Sequence, residues 1–365
     1  MGGYVGLMPA GGLNVALSNY AKEFADDEVP LVGDLIFPKV PVERQSYQYV
    51  IWNRDNLRVP GSTLRAPGDG ATTIRRSYST DTYFCRSHAL KGSVPFESEA
   101  YGLGLGFSTK MHLTADLIGR IRRAREVEIA TSALSLANFP NGINLSLSAN
   151  SMWDSYITTP TAATAATVTS HPIVAIAQYK AVLRQAAIQD NQMVLILSDP
   201  VKQALENHPD LVERFKYTNP TGNISLDQMA TAFGLKPGNV VVASALTMSQ
   251  NNVPSWIWGF SAFLGFSKPN PDRNDVSCGK TFVWAGGNIP DGSGNTIALP
   301  AAPGTIDGYG VEEWPDPERD KKTWWQSVDW YYGLKVTAQE TGIPILNAVA
   351  TGNFPMGAIP GDIEG

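Results

Sequence analysis

The sequence predicts an α+β fold, and three observations carry that prediction. A long helix is indicated from about Ser108 to Leu136 by apolar residues that recur at spacings of four and three. These residues are Leu113, Leu117, Ile121, Ala124 and Val127. A long half-buried strand is indicated from Val328 to Thr337, where apolar and polar residues alternate. Between the two, helical segments alternate with short apolar strands, as in an α/β or α+β domain.

Length and composition limit the classes of protein that need to be considered. A chain of 365 residues predicts about two domains, and 43% hydrophobic residues are too many for a disordered protein. Charged residues make up only 17%, against about 25% in average domains. Large permanent interfaces would explain this deficit, and a loop-rich monomer explains it equally well. The net charge of -6 argues against nucleic-acid binding by bulk electrostatics.

Cysteine content and hydropathy bear on where the chain is made. The two cysteines, Cys85 and Cys278, are too few for a disulfide scaffold and fit a reducing compartment. No segment approaches about 18 consecutive apolar residues, and the N-terminus lacks the basic region of a signal peptide. We expect an intact chain made in the cytosol, without a membrane span.

The first third of the chain contains two segments that lack a core of their own. After a short helical candidate at Leu13 to Phe24, the prolines Pro30, Pro38 and Pro41 in and just before Val32 to Val42 favour an extended arm over a helix or a central strand. Strand-like ends near Tyr47 and Leu90 enclose a tip rich in glycine and proline, from Pro60 to Gly70, which predicts a long hairpin. With few large apolar residues, the hairpin must lie against something else.

A Ser/Thr/Ala-rich stretch from Asn138 to Ser170 marks a domain boundary. Two short apolar strands are predicted after it, Met193 to Leu197 and Val240 to Ala243. Helices are predicted from Pro172 to about Gln189 and from Asp199 to Glu206, where Asp199 and Pro200 supply the N-terminus. A further helix has capping-box spacing at Ser225 and Gln228 and ends at Gly234. We expect His171 and His208, which precede prolines, to cap helices.

The search for catalytic and ligand-binding motifs returns little. Gly279-Lys280-Thr281 resembles the end of a phosphate-binding loop, but Asn274 stands where that motif needs glycine. The four histidines lie in different segments without metal-ligand spacing. Asp227 to Leu235 resembles the start of a helix-turn-helix, yet a strand follows instead of a recognition helix. We therefore expect no enzyme activity, no cofactor and no metal site.

The order of these parts resembles that of the major capsid proteins of tailed bacteriophages with the Hong Kong 97 (Johnson) fold. Four local resemblances agree: Leu35-Ile-Phe-Pro38, Pro172-Ile-Val-Ala-Ile-Ala177, Leu205-Glu-Asn-His-Pro-Asp-Leu211 and Phe233-Gly-Leu235. The resemblance implies an N-terminal arm (1–46), an E-loop hairpin (47–95), a long spine helix with the first part of a P-domain (96–150), an inserted α/β A-domain (151–317), returning P-domain strands (318–352) and a C-terminal tail (353–365).

The same resemblance implies a structural role. The chain would self-assemble into hexamers and pentamers of an icosahedral head that encloses double-stranded phage DNA, as part of a virion assembled in the host bacterial cytoplasm. Its partners would be a separate scaffolding protein, a portal, and a decoration or cement protein where one is used. The alternatives are an encapsulin-like nanocompartment shell protein and, less favoured, an α/β enzyme.

Two groups of arginines are candidate contact residues. The hairpin carries Arg58, Arg65, Arg75 and Arg76, which could pair with carboxylates of a neighbouring subunit. The long helix carries Arg120, Arg122, Arg123 and Arg125. Helical geometry puts Arg122 and Arg123 opposite the apolar stripe, together with Glu126. That face would either be solvated, with Arg122 and Glu126 paired, or would meet packaged DNA non-specifically or a subunit seam.

Three further expectations concern assembly. The arm before Tyr47 and the hairpin tip should be mobile in a free subunit and ordered in a shell. Covalent cross-linking through a hairpin lysine, as in some members of this family, is not expected, since no lysine lies between Tyr47 and Leu90. Maturation should not require removal of a large N-terminal segment, because only some forty residues precede the hairpin.

Overall fold

The computed structural model describes most of the chain in segments. These are residues 31–52, 63–65, 67–71, 73, 78–140, 146–148, 150–156, 169–217, 224–248, 253–269, 271–284, 288–290, 296–298, 309–318 and 321–353. The predicted helical candidate at Leu13 to Phe24 and the tail beyond residue 353 lie outside them, and the hairpin tip from Pro60 to Gly70 is described only in part.

The described strands are β1 (Lys39–Val42), β2 (Ser46–Trp52), β3 (Tyr78–Phe84), β4 (Arg86–Pro95), β5 (Met193–Ser198), β6 (Val240–Ala243), β7 (Leu246–Met248), β8 (Pro254–Trp256), β9 (Ala262–Phe266), β10 (Gly279–Trp284), β11 (Asn288–Pro290), β12 (Thr296–Ala298), β13 (Gly310–Pro315), β14 (Thr323–Val336) and β15 (Gly342–Ile345). The described α-helices are α1 (Phe96–Gly104), α2 (Thr109–Ala133), α3 (Pro172–Arg184), α4 (Asp199–Glu206), α5 (Pro209–Phe215) and α6 (Leu226–Phe233).

The first sheet is organised around β14. This strand pairs antiparallel with β4, β13 and β10, and β1 adds to β10 in parallel. The predicted alternation is confirmed: Val328, Trp330 and Tyr332 are buried, and the residues between them are partly exposed. Helix α2 packs on this sheet through Leu117, which shares a core with Trp330.

The second sheet has the order β15-β9-β5-β6 and carries helices α3 to α6. Strand β5, buried along nearly its whole length, pairs in parallel with β6 and antiparallel with β9. Because such a strand is covered on both faces, it reads as the continuous apolar run Met193-Val-Leu-Ile-Leu197. Both predicted strands, β5 and β6, are confirmed.

Helix ends follow the local chemistry of the sequence. Ser108 caps α2 by accepting from the Met111 amide, and Ser225 and Gln228 bond reciprocally at the start of α6. Gly234 ends α6 at a φ of 66°, in the left-handed region that favours glycine. The predicted capping box at Ser225 and Gln228 and the predicted end at Gly234 are thereby confirmed, but Asp199 is not a cap: it is the first residue of α4, after Ser198.

The segment from Val32 to Val42 is packed into the fold. Ile36 and Phe37 are fully buried, and Val40 in β1 is 2% exposed. The prediction that this segment lacks a core is therefore wrong. Its extended conformation in β1 agrees with the prediction, because β1 is an edge strand, where Pro41 does not need to donate a hydrogen bond to a neighbouring strand.

Three predicted boundaries also differ from the structure. The hairpin proper is β2 with β3, whereas β4, assigned to the E-loop by the 47–95 boundary, pairs with β14 in the first sheet. Strands β10 and β13 lie within the predicted A-domain, 151–317, yet belong to the first sheet. Strand β15 lies within the predicted returning P-domain segment, 318–352, yet it is an edge strand of the second sheet, paired with β9. Strand partners that are distant in sequence cannot be identified from periodicity alone.

Candidate assembly surfaces

The foot of the hairpin is fixed to the first sheet by aromatic packing. Tyr83 of β3 stacks on Phe282 of β10, with ring centroids 4.3 Å apart and planes 17° from parallel. Tyr49 donates to the Asp81 carboxylate at 2.9 Å, and Asp81 also pairs with Lys335 of β14 at 3.3 Å. These contacts anchor one end of the β2–β3 hairpin, whose other residues are much less buried.

Large apolar side chains along the hairpin are open to solvent. Tyr78 is 62% exposed, Phe84 54% and Tyr47 42%. Leu64, in the hairpin tip, is 93% exposed. Because a monomer gains nothing by exposing such residues together, they indicate a surface that another chain covers.

A second apolar surface lies at helix α1 and the turn into α2. We call it the α1 patch; its members are Phe96, Tyr101, Leu103, Leu105, Phe107 and Met111, each at least 38% exposed. Gly106 makes the turn between the helices at a φ of 89°. The sequence analysis did not identify this patch, although its six large apolar residues lie within sixteen consecutive positions.

A buried polar cluster joins the N-terminal segment to the long helix α2. Arg125 of α2 pairs with Asp34 and donates to the Phe37 carbonyl at 3.2 Å and to Thr281 Oγ1 at 2.9 Å. Its guanidinium also lies 5.4 Å from the ring centre of Trp330. Arginine can satisfy several acceptors at once from a fixed fork, so one side chain holds three segments together.

Glu126, the next residue, makes a second connection. Its carboxylate accepts from the Gly33 amide at 3.0 and 3.1 Å and from Trp258 Nε1 at 2.8 Å. Burial raises the pKa of Glu126 above its usual range, and these donors oppose the shift. A Cβ on Gly33 would lie 2.5 Å from the carboxylate, so no larger residue fits there without displacement.

Lys280, singled out in the sequence, has a structural role. It lies in β10, almost fully buried, and its Nζ donates to the carbonyls of Asp272, Arg273 and Asp275 at 2.9, 2.8 and 2.6 Å. Burial lowers its pKa to about 8. The lysine therefore fixes the loop 271–275 beside the hairpin, where Asn274 Oδ1 accepts from the Val50 amide at 3.3 Å.

Comparison with known proteins addresses the fold. No protein-family model and no curated protein matches the chain. A phage-related protein from Bordetella bronchiseptica RB50 superposes with a TM-score of 0.64 and 21% identity, over 93% of this chain and 98% of that one. The capsid of the cyanophage P-SCSP1u superposes with a TM-score of 0.52 and 9% identity, over 94% of this chain and 91% of the other.

The chain has the phage capsid fold. The SrpI encapsulin from Synechococcus elongatus PCC 7942 also superposes, at a TM-score of 0.48 and 12% identity over 88% of each chain. At these identities, the similarity establishes the capsid fold alone. The described residues contain no helix long and apolar enough to cross a membrane, and no group of three His, Cys, Asp or Glu placed to hold a metal ion.

On this capsid fold, the predicted basic cluster of α2 does not form one face. Arg120 is exposed and pairs with Asp116 at 3.0 Å, while Arg122 and Arg123 are partly exposed. Arg125 is buried, so its assignment to a basic face is wrong. Ala124 and Val127, placed in the core stripe, are exposed instead. The buried face of α2 instead runs through Ile121, Arg125 and Ile129. The apolar pattern could not place a charged residue on this face.

The expected pair between Arg122 and Glu126 is also wrong, because Glu126 is buried in contact with Gly33 and Trp258. Of the hairpin arginines, Arg65 is exposed, whereas Arg58, Arg75 and Arg76 lie outside the described residues. Their pairing with a neighbouring subunit stays a prediction. Among the described residues, the hairpin and the α1 patch are the surfaces with the most exposed large apolar side chains considered above.

Proposed function

We propose that this protein is the major capsid protein of a tailed bacteriophage, which self-assembles into the hexamers and pentamers of an icosahedral head around double-stranded DNA. The observation that most supports this proposal is the extent of the fold similarity. It covers 93% of the chain with the phage-related protein and 94% with a cyanophage capsid. A match over nearly the whole chain favours a role that uses the entire fold.

The exposed apolar surfaces support a shell-forming role. Burying one large apolar side chain contributes about 1.5–3 kcal/mol, and the α1 patch and the hairpin together offer ten such side chains. Contacts of this size favour permanent association between copies over a monomer.

The remaining parts of the proposal concern partners and place. A head of this kind is assembled in the host bacterial cytoplasm on a separate scaffolding protein, is filled through a portal, and can take a decoration or cement protein. On α2, Arg122 and Arg123 are partly exposed. They would either contact DNA phosphates without sequence preference or pair with acidic residues where two subunits meet. The hairpin arginines would pair with a neighbour's carboxylates.

Electron microscopy of the purified full-length chain tests the proposal. We expect closed shells or capsomers, and particles isolated from phage-producing cells should contain DNA. A homogeneous monomer at high concentration, across all salt and pH conditions tried, would refute shell formation. Closed shells that contain a protein cargo and no DNA would instead indicate a nanocompartment. Catalytic turnover by a monomer would indicate an enzyme.

A further inference from the structure

A cavity of about 360 Å³ lies at the foot of the hairpin, between β1, β2 and the loop 271–275. Its volume equals that of about twelve water molecules, so it can accommodate side chains from a peptide as well as a small ion. The polar groups in its wall come from Glu43, Arg44, Tyr47, Tyr83, Asp272 and Arg273. Four of them form a single arrangement.

Two arginines lie on one tyrosine ring in this cavity. The guanidinium carbon of Arg44 is 5.2 Å from the ring centre of Tyr47, and that of Arg273 is 4.8 Å from it. The Tyr83 hydroxyl donates to the Arg44 carbonyl at 3.2 Å, which fixes the chain where the first arginine begins. Stacking on an aromatic ring orients a guanidinium and leaves its edge free to donate.

Neither guanidinium has a carboxylate within ion-pair distance among the residues that the structure describes. The Nε of Arg273 is buried and has no hydrogen-bond partner there. Because this atom is buried, an acceptor that enters the cavity would meet the terminal nitrogens of the Arg273 guanidinium instead. Glu43 and Asp272 line the same cavity with exposed side chains and do not fill that role.

The sequence contains a matching acceptor. Asp26, Asp27 and Glu28 are the only three consecutive acidic residues in the chain, directly ahead of its first described residue, Leu31. Carboxylates and arginines form bidentate pairs.

We propose that the Arg44–Arg273 cavity binds the acidic run Asp26–Glu28 of a second copy of this chain. The reach of the chain favours a second copy. The N-terminal segment is fixed to α2 at two points: the Gly33 amide donates to Glu126, and Arg125 donates to the Phe37 carbonyl. The cavity lies further along the chain, beyond β1. Seven residues from Phe37 to Arg44 cover roughly 20 Å, and four residues from Asp27 to Leu31 reach at most about 14 Å.

Binding to the isolated subunit tests the cavity directly. The probe is a synthetic peptide of residues 21–30, titrated into the full-length chain by calorimetry. The matched control peptide carries the three substitutions Asp26→Asn, Asp27→Asn and Glu28→Gln, which remove the charges and keep the size of the side chains. We expect the acidic peptide to bind at least tenfold more tightly than this control.

Variants of the full-length chain locate the binding. Arg44→Gln and Arg273→Gln should remove the difference between the two peptides, and Lys216→Gln, at an exposed site elsewhere, should keep it. Equal binding of both peptides to the wild-type chain, or tighter binding of inorganic phosphate or single-stranded DNA, would overturn the proposal.

Cross-linking in shells tests the second copy, and this part rests on the proposed function. Two chains that each carry one added cysteine, Arg44→Cys and Asp27→Cys, are co-assembled and oxidised with oxidised glutathione. The native Cys85 and Cys278 are buried and should not compete. We expect a disulfide between the two chains on a non-reducing gel, and none when Lys216→Cys replaces Arg44→Cys. Shells without this disulfide would overturn the inference and leave the proposed function standing, whereas absence of shells from the wild-type chain would count against the function itself.

Discussion

Glu126 of helix α2 and Trp258 share a buried hydrogen bond of 2.8 Å, which connects the long helix to the segment ahead of β9. The same carboxylate holds the Gly33 amide, so one side chain joins three parts of the chain. We expect Glu126→Ala to lower the free energy of unfolding by about 2–4 kcal/mol, because two buried donors lose their acceptor. Urea unfolding checks this, with exposed Glu213→Ala as the control; equal losses in both variants would contradict it.

The raised pKa of Glu126 predicts a pH dependence. The folded state holds this proton more tightly than the unfolded state, whose pKa is near 4.5. Its contribution to stability is therefore complete below pH 4.5 and is lost as pH rises through the folded value. Glu126→Gln should abolish that part of the slope in unfolding free energy, measured from about pH 4 to 8. A slope identical in the two proteins would be evidence against the assignment.

Arg125 should matter more to folding than its neighbours on α2. Arg125→Gln leaves Asp34 and two buried acceptors without their partner, and we expect a loss of about 3–5 kcal/mol in unfolding free energy. The double variant Arg122→Gln, Arg123→Gln should stay within about 0.5 kcal/mol of the wild type. If these two residues face DNA or a seam, that variant should also reduce shell yield or retained DNA. Wild-type yields of full heads would indicate that Arg122 and Arg123 are only solvated.

His208 should make the second sheet's helices sensitive to acid. Its Nδ1 accepts from the Asp210 amide, its Nε2 lies 3.2 Å from Ser170 Oγ, and burial lowers its pKa to about 4. The unfolded state, with a pKa near 6.5, binds the proton first, so stability is full above pH 6.5 and falls by up to about 3 kcal/mol toward pH 4. In His208→Asn, which can still cap α5, the unfolding free energy should lose this pH dependence. The control variant His112→Asn should keep it. Thermal unfolding across this range is the measurement.

The α1 patch should be needed for assembly and not for folding. Tyr101→Ser with Leu105→Ser removes two side chains that are 71% and 62% exposed, so the melting temperature of the subunit should stay nearly constant. Shell formation by light scattering should fall at least tenfold, because their burial against a neighbour is lost. Leu64→Ser, on the hairpin, tests whether that surface acts in the same way. Normal shells from the double variant would remove the patch from the interface.

Shells should be held together without covalent cross-links through the hairpin. The residues from Tyr47 to Leu90 include no lysine, and an arginine guanidinium is not an amine nucleophile. Denaturing gels of mature particles should show a single monomer band. A ladder of multimers that resists reduction would disprove this.

Periodicity predicted the elements well and their partners poorly. Helix α2 and strand β14 are long enough for their patterns to be unambiguous, and the caps at Ser225 and Gly234 depend on neighbours a few residues away. The pairing of β4 with β14 or of β15 with β9 depends on residues far apart in sequence. Arg125 and Glu126 were missed for a different reason: their burial is compensated by partners such as Asp34 and Trp258, which a hydrophobic pattern cannot show.

Two of the three passages of the chain between the sheets lie side by side. One is Ser277–Cys278, between β9 and β10, and the other is Thr337, between β14 and β15. The Thr337 hydroxyl donates to the Ser277 carbonyl at 2.6 Å, and its amide donates to the Cys278 carbonyl at 3.1 Å. Any tilt of one sheet against the other must flex both crossings together. The two hydrogen bonds tie these crossings to each other, so the sheets should resist tilting here more strongly than they would if the two segments were independent.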